Sequence, residues 1–363
     1  MPLITVVIPV HGVEDYLERC LDSVLADSAA SLEVIAVDDA SPDRCGEILA
    51  AWRDPRLRVI RTSPGGAGGV VLPRGGSGGM GPPGREGASG AAGPGPARDL
   101  GAKEATGEYV WFVDGDDELA EGALAAVAGA LTRLRPDVLV IDFEHLYPDG
   151  TTSPSGGAGY LRGPAGSGAG PLADHPALIN LTMTAWSKVF RRDFLAGLEV
   201  SFGSAGPAPH EDVPVTTMAL LTAGKIGVID RVCYRYRRAR RGSYLAAASE
   251  ANFNIFGSYQ LVFDYFSERT GLGAPVTPGV YEAVFERAIW HCTTLLPLVP
   301  RRRRREFFHR MSADFRRWRP DGFRYPPGPR GVKFRLAARD AYWAYVLLDP
   351  VNRLRLRLRP AAP

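Results

Sequence analysis

Short apolar runs alternate with segments of helical spacing over the first part of the chain. In the helical segments, apolar residues recur three and four positions apart, as on one face of an amphipathic helix. The runs are rich in β-branched and aromatic residues and predict buried strands at residues 3–10, 33–37, 57–60, 109–113 and 138–143. Helices are predicted at residues 13–26, 45–52, 97–105 and 121–134. This alternation predicts an α/β fold with a doubly wound, mainly parallel sheet.

Two parts of the chain depart from this alternation. Residues 63–93 contain 13 glycines and 4 prolines, and too few apolar side chains to offset the entropy of ordering. We interpret them as a flexible insertion in a surface loop, with a substrate lid as the alternative. Residues 251–319 are predicted to be helical, with an apolar stripe formed by Phe307, Phe308, Met311, Phe315 and Trp318. We therefore predict a domain over 1–243 and a helical, basic region over 244–363.

The amino-acid composition limits the classes of protein to which the chain can belong. Hydrophobic residues make up 45% and charged residues 23% of the 363, which is typical of a globular chain. We find neither the pattern of a signal peptide nor an apolar run long enough to span a membrane. The four cysteines are far apart, with a spacing that suits neither a zinc site nor a disulfide framework. We therefore expect a protein of the reducing cytoplasm.

Charge is distributed unevenly along the chain. The net charge is +3, but residues 301–363 hold 18 Lys and Arg against 5 Asp and Glu, a local +13 that leaves −10 for the rest. This part also carries aromatic residues and leucines. The combination favours contact with an anionic membrane, here the inner face of the plasma membrane, or with a polyanionic acceptor; a solvated face is the alternative. Nucleic acid is not expected, since no recognised binding module accompanies the basic residues.

Two acidic clusters follow directly after predicted buried strands. Asp38 and Asp39 come after the second strand, and Asp114 and Asp116 after the fourth. In an open parallel sheet, ligands bind beyond the carboxyl ends of the strands. Crowded carboxylates repel one another, and a hard divalent cation relieves that repulsion. We therefore predict Mg²⁺ or Mn²⁺ at Asp114 and Asp116, with an acidic turn that caps a helix as the alternative.

Two other enzyme classes that use such a sheet fit less well. The first strand is followed by Pro9-Val10-His11-Gly12 rather than by the glycine-rich phosphate cradle of a dinucleotide-dependent oxidoreductase. A Mg²⁺-dependent phosphohydrolase would require an aspartate nucleophile after that strand, and the sequence has none there.

An ordered run of motifs resembles a known family. The segments VVIPVHGVEDYLERCLDSVL, EVIAVDDASPD and GPGPARDLGAKEATGEYVWFVDGDDEL, then AWSKVFRRDFL, HEDVPV and RVCYRYRRARRGS, resemble the family 2 glycosyltransferases with the GT-A fold. A narrower resemblance is to the glycosyltransferase module associated with actinobacterial teichoic-acid-type cell-wall polymer synthesis. The resemblance implies an inverting hexosyl- or N-acetylhexosaminyl-transferase of EC 2.4 type. Its donor would be a nucleotide-diphosphate sugar, UDP-linked by family default, and its acceptor a hydroxyl of a cell-envelope glycan or polyol-phosphate polymer.

The resemblance also assigns roles to individual residues. The nucleotide-binding residues would be Pro9, Val10, His11, Asp38, Asp39, Arg98 and Asp114, and the metal ligands Asp114 and Asp116. The catalytic base would be Asp212, beside Glu211, at a predicted helix N-terminus where the dipole should lower a carboxylate pKa. Capping of that helix is the alternative. Trp186 and Lys188 would lie on the acceptor side, although a buried core position for Trp186 is equally compatible with the sequence.

An arginine run and two departures from the family pattern leave further alternatives open. Arg235, Arg237, Arg238, Arg240 and Arg241 would clamp a diphosphate or form a solvated basic loop. His11 and Asp99 stand where the family more commonly has other residues, and Asp99 is expected to add negative charge near the diphosphate. A catalytically impaired module that binds nucleotide sugar or glycan and docks a partner is therefore the alternative function.

Overall fold

A computed structural model describes residues 2–26, 31–63, 69–71, 92–156, 161, 170–174, 176–204, 209–239, 248–269 and 277–348. The chain forms two compact units, residues 1–241 and 242–363. The first unit is built from strands and helices, and the second is helical.

The elements of the first unit are numbered in chain order. The strands are β1 (Ile4–Val10), β2 (Leu32–Asp38), β3 (Leu57–Thr62), β4 (Gly69–Val71), β5 (Tyr109–Phe112), β6 (Glu118–Leu119), β7 (Val138–Leu146), β8 (Thr152–Pro154), β9 (Lys188–Arg191) and β10 (Ile226–Arg237). The helices are α1 (Glu14–Leu25), α2 (Cys45–Ala51), α3 (Pro94–Glu104), α4 (Ala123–Leu134), α5 (Arg192–Ala196) and α6 (Asp212–Thr222).

A single sheet joins the strands in the order β4-β3-β2-β1-β5-β9-β7-β10-β6, with β8 paired to β7. The pairs β1–β2, β1–β5, β2–β3 and β7–β10 are parallel. Strands β4, β6, β8 and β9 pair with antiparallel neighbours. The predicted α/β class is confirmed, and the parallel strands β1, β2 and β5 end at the same edge of the sheet.

The parallel half of the sheet is buried on both faces. All seven residues of β2 and all four of β5 are buried. Helix α1 covers one face with the stripe Leu17, Cys20, Leu21, Val24 and Leu25. Fully burying one such aliphatic side chain stabilises the fold by roughly 1.5–3 kcal/mol. The strand ends that carry the acidic residues are therefore held by a packed core.

Among the described strands, the sequence did not predict five, namely β4, β6, β8, β9 and β10. Strand β4 lies inside the segment 63–93, where it pairs antiparallel to β3; residues 64–68 and 72–91 of the predicted flexible insertion lie outside the described residues. Strand β9 has only four residues, too few for a clear alternation. Strand β10 is exposed at residues 230 and 231, which interrupts its apolar pattern.

The second unit packs four helices around an aromatic core. They are α7 (Asn254–Arg269), α8 (Pro278–Leu295), α9 (Arg304–Trp318) and α10 (Gly328–Ala338), followed by a helical stretch at 342–348. The Thr277 hydroxyl caps α8 by accepting from the Val280 N–H at 3.3 Å. The predicted apolar stripe of α9 is confirmed, because all five of its residues are buried. Among the described helices, none has the length and apolarity that crossing a bilayer requires.

Candidate active site

An acidic cluster lies just beyond the carboxyl end of β5. Carboxylate oxygens of Asp114, Asp116 and Asp117 lie within 4.8 Å of one another. Gly115 keeps the turn close to β1, since a Cβ there would lie only 3.2 Å from the Pro9 carbonyl oxygen. The cluster therefore stands at the edge of the sheet where β1 also ends.

Strand β10 holds this cluster in place. Tyr234 Oη accepts from the Asp114 N–H at 3.1 Å and donates to Asp117 Oδ2 at 2.7 Å. The Arg237 N–H donates to Asp117 Oδ1 at 2.7 Å, and Arg237 Nε donates to the Asp116 carbonyl oxygen at 2.8 Å. Both carboxylate oxygens of Asp117 thus bind protein groups. Asp117 anchors the turn, and Asp114 and Asp116 are the better candidates for metal ligands.

The electrostatics of the cluster suit a divalent cation. Burial raises the pKa of Asp117 well above its usual value, and the charges of Asp116 and Asp114 raise it further. The hydrogen bonds from Arg237 and Tyr234 act in the opposite direction. A cluster of carboxylate oxygens under mutual repulsion is a donor set that fits Mg²⁺ or Mn²⁺.

Arg98 connects this cluster to a second pair of acids. Its buried guanidinium donates from Nη2 to Asp114 Oδ1 at 2.8 Å and from Nη1 to Glu211 Oε1 at 2.7 Å. Helix α3 can place it there because of a close packing contact, where a Cβ at Gly101 would lie 2.2 Å from Val7 Cγ1. Glycine at this position lets α3 approach β1, so that Arg98 reaches two carboxylates from different parts of the chain.

Helix α6 begins at Asp212, which matches the predicted helix N-terminus, but the expected direction of the Asp212 pKa shift was wrong. Burial raises this pKa to about 7, and the negative charge of Glu211 contributes. Arg98 and Lys188 oppose the rise without cancelling it. Loss of water around the carboxylate therefore outweighs the helix dipole. A carboxylate with a pKa near neutrality is suited to accept a proton.

The acids at the end of β2 are held by hydrogen bonds. Asp39 is buried, and its two carboxylate oxygens accept from Thr62 Oγ1 at 2.8 Å and from the Gly93 N–H at 2.7 Å. Asp38 is also buried, and its Oδ2 accepts from Arg61 Nε at 2.9 Å. Both carboxylates are therefore fixed in position by neighbouring elements.

The end of β1 lies beside these acids. Val10 is buried, and its carbonyl oxygen accepts from the Asp39 N–H at 2.9 Å. His11 Nδ1 donates to the Asp39 carbonyl oxygen at 2.8 Å, while Pro9 is partly exposed. Because Pro9 also approaches Gly115, the residues predicted on the nucleotide side meet at one edge of the sheet.

A protein-family model matches the first part of the chain. The model of glycosyl transferase family 2 matches residues 5–71 and 89–161, a region that contains both acidic clusters and Arg98. The matched segments hold 67 and 73 residues, 140 of the 363, and over them the chain is similar to glycosyltransferase family 2. The mainly parallel sheet flanked by helices is the GT-A fold of these enzymes.

Individual relatives are distant. The uncharacterized glycosyltransferase EpsJ of Bacillus subtilis is 26% identical over 248 residues, which cover 65% of this chain and 61% of EpsJ. The poly(ribitol-phosphate) beta-N-acetylglucosaminyltransferase TarS of Staphylococcus aureus is 25% identical over 252 residues, 67% of this chain and 37% of TarS. The chain thus spans less than two thirds of the length of these relatives.

A solved structure supports the fold assignment. The crystal structure of S. aureus TarS 1–349 in complex with UDP-GlcNAc matches with a TM-score of 0.52 and 18% identity, and covers 97% of this chain and 91% of that one. At this level of identity, the likeness shows the fold alone.

The two residues predicted on the acceptor side, Trp186 and Lys188, are buried. Trp186 is 4% exposed and stacks on Tyr234 and Tyr236, with ring centroids 4.4 and 5.4 Å away. Lys188 is fully buried, and its Nζ donates to the Thr182 carbonyl oxygen at 2.8 Å. Trp186 therefore occupies the core position that the sequence left open, and the acceptor role of both residues stays a prediction.

The arginines at residues 235–241 lie partly in β10 and partly after its end. Arg235 pairs with a glutamate of β7 at 2.9 Å, and Arg237 holds the acidic turn. The Arg238 guanidinium lies 5.6 Å from the centroid of a tyrosine ring. Arg240 and Arg241 lie outside the described residues. The two inner arginines are thus committed to protein groups, rather than forming a solvated loop.

Asp99 binds the backbone of a neighbouring loop. Its two carboxylate oxygens accept from the Phe202 N–H at 2.9 Å and from the Gly203 N–H at 2.7 Å. Its charge therefore fixes that loop, and the repulsion expected near the diphosphate stays a prediction.

Sequence reasoning missed the residues that support the cluster. Arg237 was predicted to clamp a diphosphate or to lie in a solvated basic loop, and Tyr234 was assigned no role, although both hold the acidic turn from β10. A signal was present in Tyr234-Arg235-Tyr236-Arg237, because aromatic and basic side chains alternate with the period of two that is typical of a strand.

Proposed function

We propose that this chain transfers a sugar from a nucleotide-diphosphate sugar, with UDP as the nucleotide, to a hydroxyl of a cell-envelope glycan or polyol-phosphate polymer, with inversion at the anomeric carbon. One observation carries the proposal. Arg98 bridges Asp114, in the candidate metal cluster, and Glu211, beside the candidate base Asp212. A group that binds a leaving diphosphate and a group that takes a proton are thereby joined in a single network.

The relatives support the choice of donor and acceptor class. TarS of S. aureus is named for a poly(ribitol-phosphate) acceptor, and its structure was solved with UDP-GlcNAc. A poly(ribitol-phosphate) beta-glucosyltransferase of Bacillus spizizenii is a further relative, 26% identical over 270 residues. These likenesses favour a polyol-phosphate polymer as acceptor and UDP as the donor nucleotide.

The proposed donor site is the edge formed by β1, β2 and β5. Asp39 and His11 would contact the base and ribose, and Asp114 and Asp116 would hold Mg²⁺ or Mn²⁺. When bound, the cation stabilises the negative charge that develops on the departing diphosphate. Arg98 supplies a fixed positive charge next to Asp114, which favours the same charge development.

The proposed base is Asp212. Its carboxylate would take the proton of the acceptor hydroxyl while the acceptor oxygen bonds to the anomeric carbon and the bond from that carbon to the diphosphate oxygen breaks. The electron pair of the broken bond leaves with UDP, and attack opposite the leaving group inverts the configuration. Glu211 is held by Arg98 in the bridge, so Asp212 is the better candidate for the proton.

The proposed location is the cytoplasm, at the inner face of the plasma membrane. The four cysteines are buried and unpaired, which suits a reducing compartment. The excess of positive charge over residues 301–363 suits an anionic surface.

Release of UDP tests the proposal. Purified protein is incubated with a panel of nucleotide sugars and a ribitol- or glycerol-phosphate oligomer, with Mn²⁺, with Mg²⁺ or with a chelator. We expect metal-dependent release of one nucleoside diphosphate. Asp116→Ala and Asp212→Asn are each expected to lower kcat/KM at least about 100-fold. Glu18→Gln, at an exposed position of α1, is the matched control and should behave like wild type.

Two outcomes would contradict the proposal. Turnover that survives in both variants would remove the assigned metal and base. Nucleotide binding by calorimetry without turnover for any donor would instead favour the impaired binding module. Proton NMR of the product, compared with the donor anomer, tests inversion separately.

A further inference from the structure

The second unit exposes an apolar face where a water-soluble surface is normally polar. In the helical stretch at 342–348, Trp343 is 65% exposed, Leu347 74% and Val346 38%. These three residues are spaced as on one side of a helix, and we call them the apolar face. On the other side of this stretch, Tyr345 is 5% exposed and packs on Phe308 with ring centroids 5.1 Å apart. The unit thus buries one side of the stretch and presents large apolar side chains on the other.

Helix α10 lies next to this stretch and adds positive charge. Lys333 Nζ lies 5.4 Å from the Tyr345 ring centroid, so the two segments are in contact. Within α10, Phe334 is fully buried and Arg335 is exposed, and Arg339, which directly follows the helix, is also exposed. Two exposed arginines therefore lie in or directly after the helix that contacts this stretch.

The excess of charge extends across the described part of this region. Residues 301–348 hold 14 Lys and Arg against 4 Asp and Glu, a net +10. The arginines at the start of α9 are largely committed to protein groups: Arg302 and Arg303 pair with Glu250, and Arg304 Nε donates to the Val299 carbonyl oxygen at 2.9 Å. Arg335 in α10 and Arg339 just after it are thus the better candidates for an external anion.

We propose that the apolar face, with Arg335 and Arg339, docks the chain on an anionic lipid bilayer. Tryptophan is suited to the boundary between headgroups and acyl chains, because its ring is apolar and its N–H is polar. Leucine and valine enter the acyl boundary, and arginines bind lipid phosphates. A soluble polyanion would satisfy the arginines but would leave Trp343, Val346 and Leu347 in water. The membrane is therefore favoured over a polymer.

Vesicle flotation with the full chain tests the proposal. Vesicles of phosphatidylcholine alone are compared with vesicles that also contain phosphatidylglycerol. We expect binding to the anionic vesicles. The double variant Trp343→Ala and Leu347→Ala should weaken that binding at least about tenfold, and Arg335→Gln and Arg339→Gln about fivefold each.

Matched controls come from the first unit. Tyr147→Ala removes a 37% exposed aromatic ring, and Arg44→Gln a charge whose side chain is 74% exposed. Both should float like wild type. The substituted positions are exposed, and circular dichroism of each variant checks that it remains folded. Flotation requires no turnover, so this result is independent of whether the chain transfers a sugar.

Three results would overturn the proposal. Equal flotation of wild type and the Trp343/Leu347 double variant would remove the apolar face from the interaction. Binding to long-chain polyphosphate, without binding to anionic vesicles, would assign the surface to a polymer. A dimer in light scattering that the double variant abolishes, again without vesicle binding, would make the face an interface between copies of the chain.

Discussion

Asp212→Asn should stabilise the folded protein at alkaline pH although it removes the proposed base. Burial raises the Asp212 pKa to about 7 from an ordinary value of 3.8, so the folded state favours the protonated carboxyl. Ionisation therefore opposes folding. The penalty is absent below the ordinary pKa, grows as the pH rises towards 7 and is constant above it. Asparagine keeps the shape of the side chain without the charge.

The magnitude follows from the size of the pKa shift. Each pKa unit corresponds to about 1.4 kcal/mol, so a rise from 3.8 to about 7 gives roughly 4 kcal/mol as an upper bound. Asp212 is only half-buried, and solvent reduces this value. We expect the variant to gain about 1–2 kcal/mol in free energy of unfolding at pH 8, and to show almost none of that gain at about pH 3, below the ordinary pKa of 3.8.

Urea denaturation of wild type and variant at both pH values measures this difference. Glu18→Gln is the control for loss of one exposed carboxylate and should show no comparable pH dependence. Glu211→Gln should act in the opposite direction and destabilise the fold by about 3 kcal/mol, because it leaves buried Arg98 with one carboxylate partner fewer. A variant Asp212→Asn that is no more stable than wild type at pH 8 would refute the assignment of an ionisation penalty to this site.

Three further predictions follow from the same geometry. The value of kcat/KM should rise as the pH increases through about 7, because Asp212 must be ionised to take a proton; a flat profile over this range would contradict its role. Tyr234→Phe removes the hydroxyl between the Asp114 N–H and Asp117, and should weaken Mn²⁺·UDP binding about fivefold to tenfold in calorimetry; unchanged affinity would show that the turn holds without it. Asp99→Ala should lower the free energy of unfolding by about 1–3 kcal/mol with little change in UDP affinity, whereas a gain in affinity would place its charge on the diphosphate side.

The local pattern of the chain was sufficient to predict the parallel half of the fold. The runs that became β1, β2 and β5 are nearly continuous in apolar residues, because both faces of these strands are covered. Because parallel strands have their carboxyl ends at a common edge, the sequence alone assigns Asp39 and Asp114 to one edge of the sheet. Strands β9 and β10 could not be predicted in this way, since their pairing depends on distant partners.

The contacts that support the site could not be predicted from the local sequence pattern. The bond between Tyr234 and Asp117 joins residues 117 positions apart, and the pair Arg98 and Glu211 joins residues 113 positions apart. The Asp212 pKa was predicted in the wrong direction for the same reason. A helix N-terminus is visible in the sequence, whereas the burial that outweighs its dipole is a property of the folded chain.

Binding of Mn²⁺ in the presence of UDP tests the central claim most directly. Electron paramagnetic resonance follows the free Mn²⁺ signal as protein is added, for wild type, Asp116→Asn and the control Glu18→Gln. The account predicts that wild type and Glu18→Gln bind a single Mn²⁺ per chain and that Asp116→Asn loses at least about 90% of that binding at the same concentrations. Equal Mn²⁺ binding by Asp116→Asn and wild type would contradict it.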